Sequence, residues 1–360
     1  MRIFEFDYPL DSSRIAQYPS RRRNDARLLV LDRVTKTIAH ARFGEIVKWL
    51  RKGDLLILND SRVIPARLYA TKRETGGKVE LLLTREASKN RWSALVKGKV
   101  KTGAVLDMES GASARVVDAA GDGRIDLEFV MRGDIRRKLH RIGHVPLPPY
   151  IRRPDEPGDR RRYQTVYAAA DGSVAAPTAG LHFTRSLLAK LREKGVEIAT
   201  VTLHVGPGTF KPVETEEIDR HKMDPEYGIV GPSVARAVEI SRESGGRVIA
   251  VGSTSARVLE FAARPDGRIE PTSGWIDLYI RPGYRFKIVD GWITNFHLPR
   301  TTLYIMMCAF AGIEQTRRAY AEALECGYRF YSYGDAMFIL PRGGYAAPTG
   351  KIRLTTWEGA

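Results

Sequence analysis

Cysteine is nearly missing from this 360-residue chain: Cys308 and Cys326 stand alone, at a spacing that matches no zinc or dithiol motif. That argues against a disulfide-framed secreted scaffold and for a reducing compartment. Long apolar runs are missing too. The longest, around Leu303 to Ile313, stops well short of the roughly 20 residues a membrane-spanning helix needs. The first residues, Met1-Arg2-Ile3-Phe4-Glu5-Phe6-Asp7, lack the basic-then-apolar order of a secretory signal. No Gly-x-x-x-x-Gly-Lys-Ser/Thr loop occurs, and no His-Glu-x-x-His. Gly206-Pro207-Gly208 carries Lys211 where a dinucleotide fingerprint needs its third glycine. His140 and His144 are four apart but lie in a basic stretch, where surface histidines are the ordinary outcome, so no metal site is expected. These absences leave a soluble cytoplasmic protein with no membrane partner.

Negative charge is also in short supply. Lys plus Arg number 58 against 42 Asp plus Glu, a formal net charge of +16, and 42 of the 58 are Arg. Arginine's planar fork suits phosphate, so the excess points to a polyanionic partner. From Arg132 to Arg162 there are ten basic residues against four acidic ones, including Arg152, Arg153 and the triplet Arg160-Arg161-Arg162. A second run, Arg21-Arg22-Arg23, lies near the start. Either run alone reads as a solvated face; two runs on a basic chain point to RNA or DNA.

What the chain does have is two textures. Apolar residues make up 43% and charged residues 28%, the balance of a globular protein, and the length predicts about two domains. Residues 43–51 read as a helix stopped at Gly53, then a strand Leu55 to Leu58. From Ala66 to Val130 short strand-like runs (67–71, 78–84, 92–96, 114–117, 125–130) alternate with Gly-rich turns, the pattern of a small antiparallel barrel or sandwich. A basic helix over 134–142 and a Pro-rich exit, Val145 to Tyr150, lead back to strands alternating with helices, an α/β layered pattern. The expected architecture is a mixed-sheet α/β domain in two parts, 1–65 and 150–340, with a small antiparallel β-barrel inserted at 66–149 and a loose tail over 341–360.

Polar residues recur where predicted strands end, the usual ligand position in open α/β sheets. Asn59-Asp60-Ser61-Arg62 follows the first strand; a turn capped by its own Asn and Asp is the competing account. Thr178, Gly180 and His182 lie in a small-residue loop that enters a helix at Thr184. His204 with Gly206, Gly208 and Thr209 closes another strand. Ala250 to Ser255 repeats the strand–loop–helix form. Asn295 and His297 end a further strand, and Tyr331-Ser332-Tyr333-Gly334-Asp335 adds two aromatic rings with a carboxylate. Any one of these could be a satisfied structural residue. Five of one kind in one domain point to an enzyme with a loop-built pocket.

At that level the reaction stays open, but the motifs carry a resemblance. Asn59 to Arg67, Tyr163 to Ala168, Ala175 to Thr184, Val201 to Val213, Thr294 to Pro299 and Tyr328 to Met337 resemble, in order, the S-adenosylmethionine:tRNA ribosyltransferase-isomerase (QueA) family of queuosine biosynthesis. The likeness runs from about residue 1 to 340. Asp224 stands where members commonly carry a histidine, so no essential chemistry is assigned there, and Ser61 replaces a usual threonine while keeping the hydroxyl.

The resemblance implies a mixed-sheet α/β fold with an inserted barrel. It also implies transfer and isomerisation of the ribosyl part of S-adenosylmethionine onto 7-aminomethyl-7-deazaguanine at the tRNA wobble position. Epoxyqueuosine-tRNA forms, and adenine and methionine leave. S-adenosylmethionine is then a consumed cosubstrate, the precursor-bearing tRNA is the partner, no permanently bound cofactor or metal is required, and a monomer is expected. The sulfonium acidifies the neighbouring ribose 5′ carbon, so a base near neutrality and an acid for departing adenine are needed. The catalytic candidates are His182, His204, Asp60 and His297. Candidates for holding substrate are Asn59, Arg62, Thr178, Gly180, Gly206, Gly208, Thr209, Asn295, Ser332, Tyr333 and Asp335. Arg152, Arg153, Arg160, Arg161 and Arg162 are the candidates for tRNA phosphates. Two other classes compete. A non-catalytic RNA binder would not need the strand-end His, Asp and Asn set. A methyltransferase would release S-adenosylhomocysteine, and the chain lacks the Gly-rich loop such domains place after an early strand.

Overall fold

The computed structural model describes residues 1–109, 111–121, 123–342 and 353–355. The chain opens with β1 (Arg27–Leu31) and β2 (Ile38–Arg42), then β3 (Leu55–Asn59) and β4 (Ser61–Val63). Six strands follow: β5 (Arg67–Lys72), β6 (Lys78–Ser88), β7 (Arg91–Lys97), β8 (Val105–Met108), β9 (Ser113–Ala119) and β10 (Arg124–Val130). Helices α1 (Ile135–Ile142) and α2 (Asp159–Arg162) lead to β11 (Ala170–Ser173), α3 (Arg185–Glu193), β12 (Glu197–Leu203) and β13 (Glu226–Val230). The remainder runs α4 (Pro232–Glu243), β14 (Val248–Val251), α5 (Gly252–Ala262), β15 (Thr272–Ile276), β16 (Gly291–Asn295), α6 (Thr302–Ala311), α7 (Ile313–Glu325), β17 (Ala336–Ile339) and β18 (Arg353–Thr355).

Ten strands form one mixed sheet in the order β15-β13-β12-β3-β14-β16-β17-β1-β2-β18. Its centre, β12, β3, β14 and β16, is parallel. A parallel centre is covered on both faces, which explains why β3 is a continuous apolar run. Leu55 and Ile57 pack with α4 to α7, whereas Leu56 and Leu58 face α3 and the turns around Phe43. β17 runs antiparallel to β16, so its start, beside Asp335, lies at the same sheet edge as the ends of β3, β12, β14 and β16. All five strand-end motifs therefore share one edge.

The inserted strands β5 to β10 close into a six-stranded antiparallel barrel. Alternation places Leu68 and Ala70 of β5 with Ile125, Leu127 and Phe129 of β10 inside, and α1 adds Ile135 and Leu139 to that core. A small core of Val63, Val145, Leu147, Ile151, Tyr163 and Tyr333 joins barrel to sheet. The Pro-rich exit thus packs rather than swings.

Local readings shifted in three places. Residues 43–48 form a 3₁₀ helix, not an α-helix, because Phe43, Ile46 and Trp49 bury every third position. The strand expected near 275–281 lies at 272–276. β1, β2, β4, β8, β11, β13 and β18 went unread. Of the expected tail, 353–355 pairs with β2, and the turn at Asp122 lies outside the described residues.

Candidate active site on the sheet edge

β4 and β11 form a two-stranded parallel sheet of their own, Ala170 opposite Ser61. Its position is fixed by β3: Asn59, fully buried, accepts from the backbone N–H of Ser61 and Leu203 through Oδ1 and donates Nδ2 to the Leu203 carbonyl. Asn59 therefore brackets the ends of β3 and β12 and turns the chain into β4. The product of this construction is the placement of His204, one residue past β12.

Ser61 Oγ lies 2.8 Å from His204 Nδ1 and 2.7 Å from Ser173 Oγ, and Ser173 Oγ accepts from the Val205 N–H at 2.8 Å. Gly172 lies under the ring with φ +147; a Cβ there would stand 2.8 Å from His204 Cε1 and Nδ1. Only glycine fits. The hydrogen count of this buried chain has one saturated solution. Ser173 already accepts from Val205, and among the described residues its hydroxyl has Ser61 as acceptor. Ser61 must then donate to Nδ1, so neutral His204 carries its proton on Nε2. Burial pushes the His204 imidazole below its ordinary value, and the Asp60 and Asp171 carboxylates pull the other way. Asp60 Oδ1 accepts from Thr202 Oγ1 at 2.7 Å, and Arg62 donates to the Ala168 carbonyl and pairs with Asp171 at 3.6 Å.

His204 faces a cleft of about 830 Å³ between the sheet edge and the barrel, large enough for a nucleoside-sized ligand. Gly206, Gly208, Asp171, Asp224 and Glu226 line the sheet side; Arg85, Trp92, Arg124 and Arg136 line the barrel side. Glu226 braces the Gly-rich turn, accepting from Gly206 N–H at 2.9 Å and Thr209 Oγ1 at 2.6 Å. It is itself held by Arg257 at 2.5 Å in a buried pair. Gly208 leaves room for Asp224, which pairs with Lys211.

The other two candidate histidines do not reach this cleft. His297 borders a hollow of about 30 Å³ together with Thr178, Thr209, Asn295 and Ser332. Thr294 Oγ1 lies 2.8 Å from its Nε2, and burial pushes its pKa down to about 3. His182 borders a third hollow with Arg23, Arg162, Ser332 and Tyr333. Asn295 Nδ2 lies 3.2 Å from its Nε2, and burial lowers its pKa to about 4. Both are neutral at neutral pH. The hollows form a row: Val205 borders the cleft and the second, Ser332 the second and the third. Gly180 fits against the Tyr167 hydroxyl. Asp335 is buried and accepts from the N–H groups of Arg27 and Arg329.

The basic candidates divide. Arg153 forms a two-pronged pair with Asp159, at 2.7 and 2.9 Å, and stacks on Tyr18. Arg160 donates to the carbonyls of His140 and Gly143, and Arg162 to those of Ser20 and Arg21. Among the described residues those neutral partners leave both charges uncancelled. Arg152 and Arg161 are exposed. His144 pairs with Asp155 at 2.9 Å, apart from His140. Among the described residues, no three His, Cys, Asp or Glu side chains gather as metal ligands, and no helix is long and apolar enough to cross a membrane.

Sequence reasoning missed Asp171-Gly172-Ser173, Glu226 and Arg257. The first had a signal, a Gly flanked by polar residues between two motif blocks; the buried pair had none.

Known proteins resemble the chain along its length. A family model described as queuosine biosynthesis protein matches residues 3–339. The S-adenosylmethionine:tRNA ribosyltransferase-isomerase of Caldanaerobacter subterraneus subsp. tengcongensis is 49% identical over 343 residues, 94% of this chain and 100% of that protein. The protein of the same name from Pelobacter propionicus is 48% identical over the same shares. A crystal structure of S-adenosylmethionine tRNA ribosyltransferase from Thermotoga maritima is 38% identical, with a TM-score of 0.54, covering 93% of this chain and all of that one.

Proposed function

The chain belongs to the queuosine biosynthesis protein family, and from that premise we propose that the cleft beside His204 is where its reaction takes place. The reaction is that of an S-adenosylmethionine:tRNA ribosyltransferase-isomerase: the ribosyl moiety is transferred and isomerised onto 7-aminomethyl-7-deazaguanine at the tRNA wobble position. Epoxyqueuosine-tRNA is formed, and adenine and methionine are released.

The observation that carries the placement is the cradle around His204. A histidine clamped by Gly172 and oriented by Ser61 at the rim of a nucleoside-sized cleft is prepared for chemistry. With Nε2–H facing the cleft, His204 supplies a hydrogen bond to charge that develops on the departing adenine or the sugar oxygens. The C5′–H bond breaks with its electron pair left on carbon as the sulfonium ylide. The proton then goes to a carboxylate, and Asp60 and Asp171 are the two that act on His204. The barrel forms the opposite wall, and the exposed cations of α2 suit tRNA phosphates. The chain works as a cytoplasmic monomer, and no step requires a metal.

Incubation with S-adenosylmethionine and precursor-bearing tRNA should release adenine and methionine in equal amounts. Replacing His204 by Ala should lower turnover by roughly 10²-fold or more, the scale of acid/base contributions. A folded variant with near-normal turnover would move the reaction out of this cleft.

A further inference from the structure

Two of the residues that line the second hollow in the row each carry a buried polar atom without a partner among the described residues. Thr254 is 6% exposed and Asn295 3% exposed; Thr254 Oγ1 and Asn295 Oδ1 both lack a hydrogen-bond partner among the described residues. Asn295 cannot be turned to relieve this. Its Nδ2 faces the carbonyls of Tyr331 at 3.1 Å and Asp335 at 3.4 Å, which identifies that end as the nitrogen. An orphaned buried acceptor costs about 1–3 kcal/mol, so the hollow is built for something that binds there.

The second element is the start of α5. Gly252, with φ +87, turns β14 straight into the helix, so no residue intervenes to cap it and Val251 offers no side-chain oxygen. The free N–H groups and the positive end of an eleven-residue helix face the hollow through Gly252, Ser253 and Thr254. One wall therefore favours an anion. Asn295 Oδ1 is an acceptor and favours a cation or neutral donor. Among the described residues, no Asp, Glu, Lys or Arg lines the hollow, and His297 there is neutral. A net-neutral site with a donor wall and an acceptor fits a zwitterion.

We propose that this hollow is the subsite for the α-amino-acid head of S-adenosylmethionine, with the carboxylate at Thr254 and the α5 N–H groups and the ammonium at Asn295 Oδ1. The size agrees. About 30 Å³ holds roughly two waters at 10–15 Å³ each, the bulk of a charged head group. Val205 borders both hollow and cleft, so the methionyl stem passes it and delivers the sulfonium to the His204 end. That path rests on the reading that His204 marks the reacting centre.

The experiment is a binding titration without tRNA, which does not depend on any residue's part in turnover. S-adenosylmethionine and its decarboxylated analogue are titrated into wild type, Thr254→Val and Thr254→Ser. A hydrogen bond to a charged group is worth roughly tenfold or more. Thr254→Val should therefore weaken S-adenosylmethionine at least tenfold and leave the decarboxylated analogue unchanged, with Thr254→Ser close to wild type. Asn295→Ala should weaken S-adenosylmethionine but not its des-amino analogue. If Thr254→Val weakens both ligands equally, or neither, the carboxylate lies elsewhere and the hollow is a site for structural water. A failure of the His204 reading would appear only in turnover, with these affinities intact.

Discussion

Ser61 Oγ and His204 Nδ1 stand 2.8 Å apart across 143 residues of sequence, and that contact ties the tautomer of His204 to the Ser61 hydroxyl. Removing the hydroxyl frees the tautomer. Ser61→Ala should give a mixture of Nδ1–H and Nε2–H forms, read from one-bond nitrogen–proton couplings in histidine-labelled protein. Wild type should show Nε2–H alone. Turnover should fall about fivefold, matching a hydrogen bond of about 1 kcal/mol. Ser61→Thr restores the hydroxyl and should restore both readouts. An unchanged tautomer in Ser61→Ala would show that Ser61 does not set it.

Stability should fall on the acid side. His182 and His297 have folded pKa values of about 4 and about 3, below the ordinary 6.5. In acid the unfolded chain therefore binds protons that the native state refuses. The stabilisation is complete above about pH 6.5 and is lost as pH falls toward the folded values. For His182 the full loss is on the order of 3 kcal/mol. Denaturant titrations from pH 7 to pH 4 should show this slope. His182→Gln should flatten it, even if its stability at pH 7 is lower.

The arginines near α2 should separate by partner. Arg161→Ala removes an exposed charge, and should flatten the salt dependence of tRNA binding by nearly one phosphate without altering stability. Arg153→Ala leaves Asp159 buried without its partner, and should destabilise the fold by roughly 3–5 kcal/mol with little change in salt slope. Anisotropy titrations at several salt concentrations, together with melting curves, distinguish the two. Equal salt effects would place Arg153 on the tRNA.

Trp275 reports on the cleft. It is 52% exposed at the cleft wall, edge-on to Tyr227 at 5.4 Å, whereas Trp49, Trp92 and Trp292 are buried. In a Trp357→Phe background, an anticodon stem-loop bearing the precursor base should quench emission. Trp275→Phe should abolish that quenching. Quenching that persists would locate base entry on another face.

The sheet-edge logic was readable because ligands of open α/β sheets bind outside the carboxyl ends of the strands, and β3, β12, β14 and β16 are marked by apolar runs followed by polar residues. The barrel was readable from alternation and turn glycines. The cradle was not. Ala170-Asp171-Gly172-Ser173 has no strand pattern, and it becomes β11 only because β4 offers a partner and His204 lies across Gly172. Arg257 reads as an ordinary helical arginine until β13 brings Glu226 to it. Both depend on contacts between distant segments, which periodicity cannot register. The five strand ends likewise looked like one pocket in sequence, whereas the fold divides four of them among a cleft and two smaller hollows, and Asn59 to Arg62 at the end of β3 line none of the three.

β4 precedes the barrel and β11 follows it, so the two strands that hold His204 belong to halves of the chain separated by the whole insertion. Made from its amino end, the chain emits Ser61 long before Gly172 and Ser173, and their meeting requires a loop of about a hundred residues to close. A folded barrel, whose first and last segments are tied by the Arg67–His144 bridge, reduces that search to the connections on either side of it. The order of the His204 cradle is thus expected to follow the folding of the barrel. A chain whose barrel is unfolded should hold Ser61 and Gly172 apart, and should leave the His204 imidazole without the clamp that they form around it.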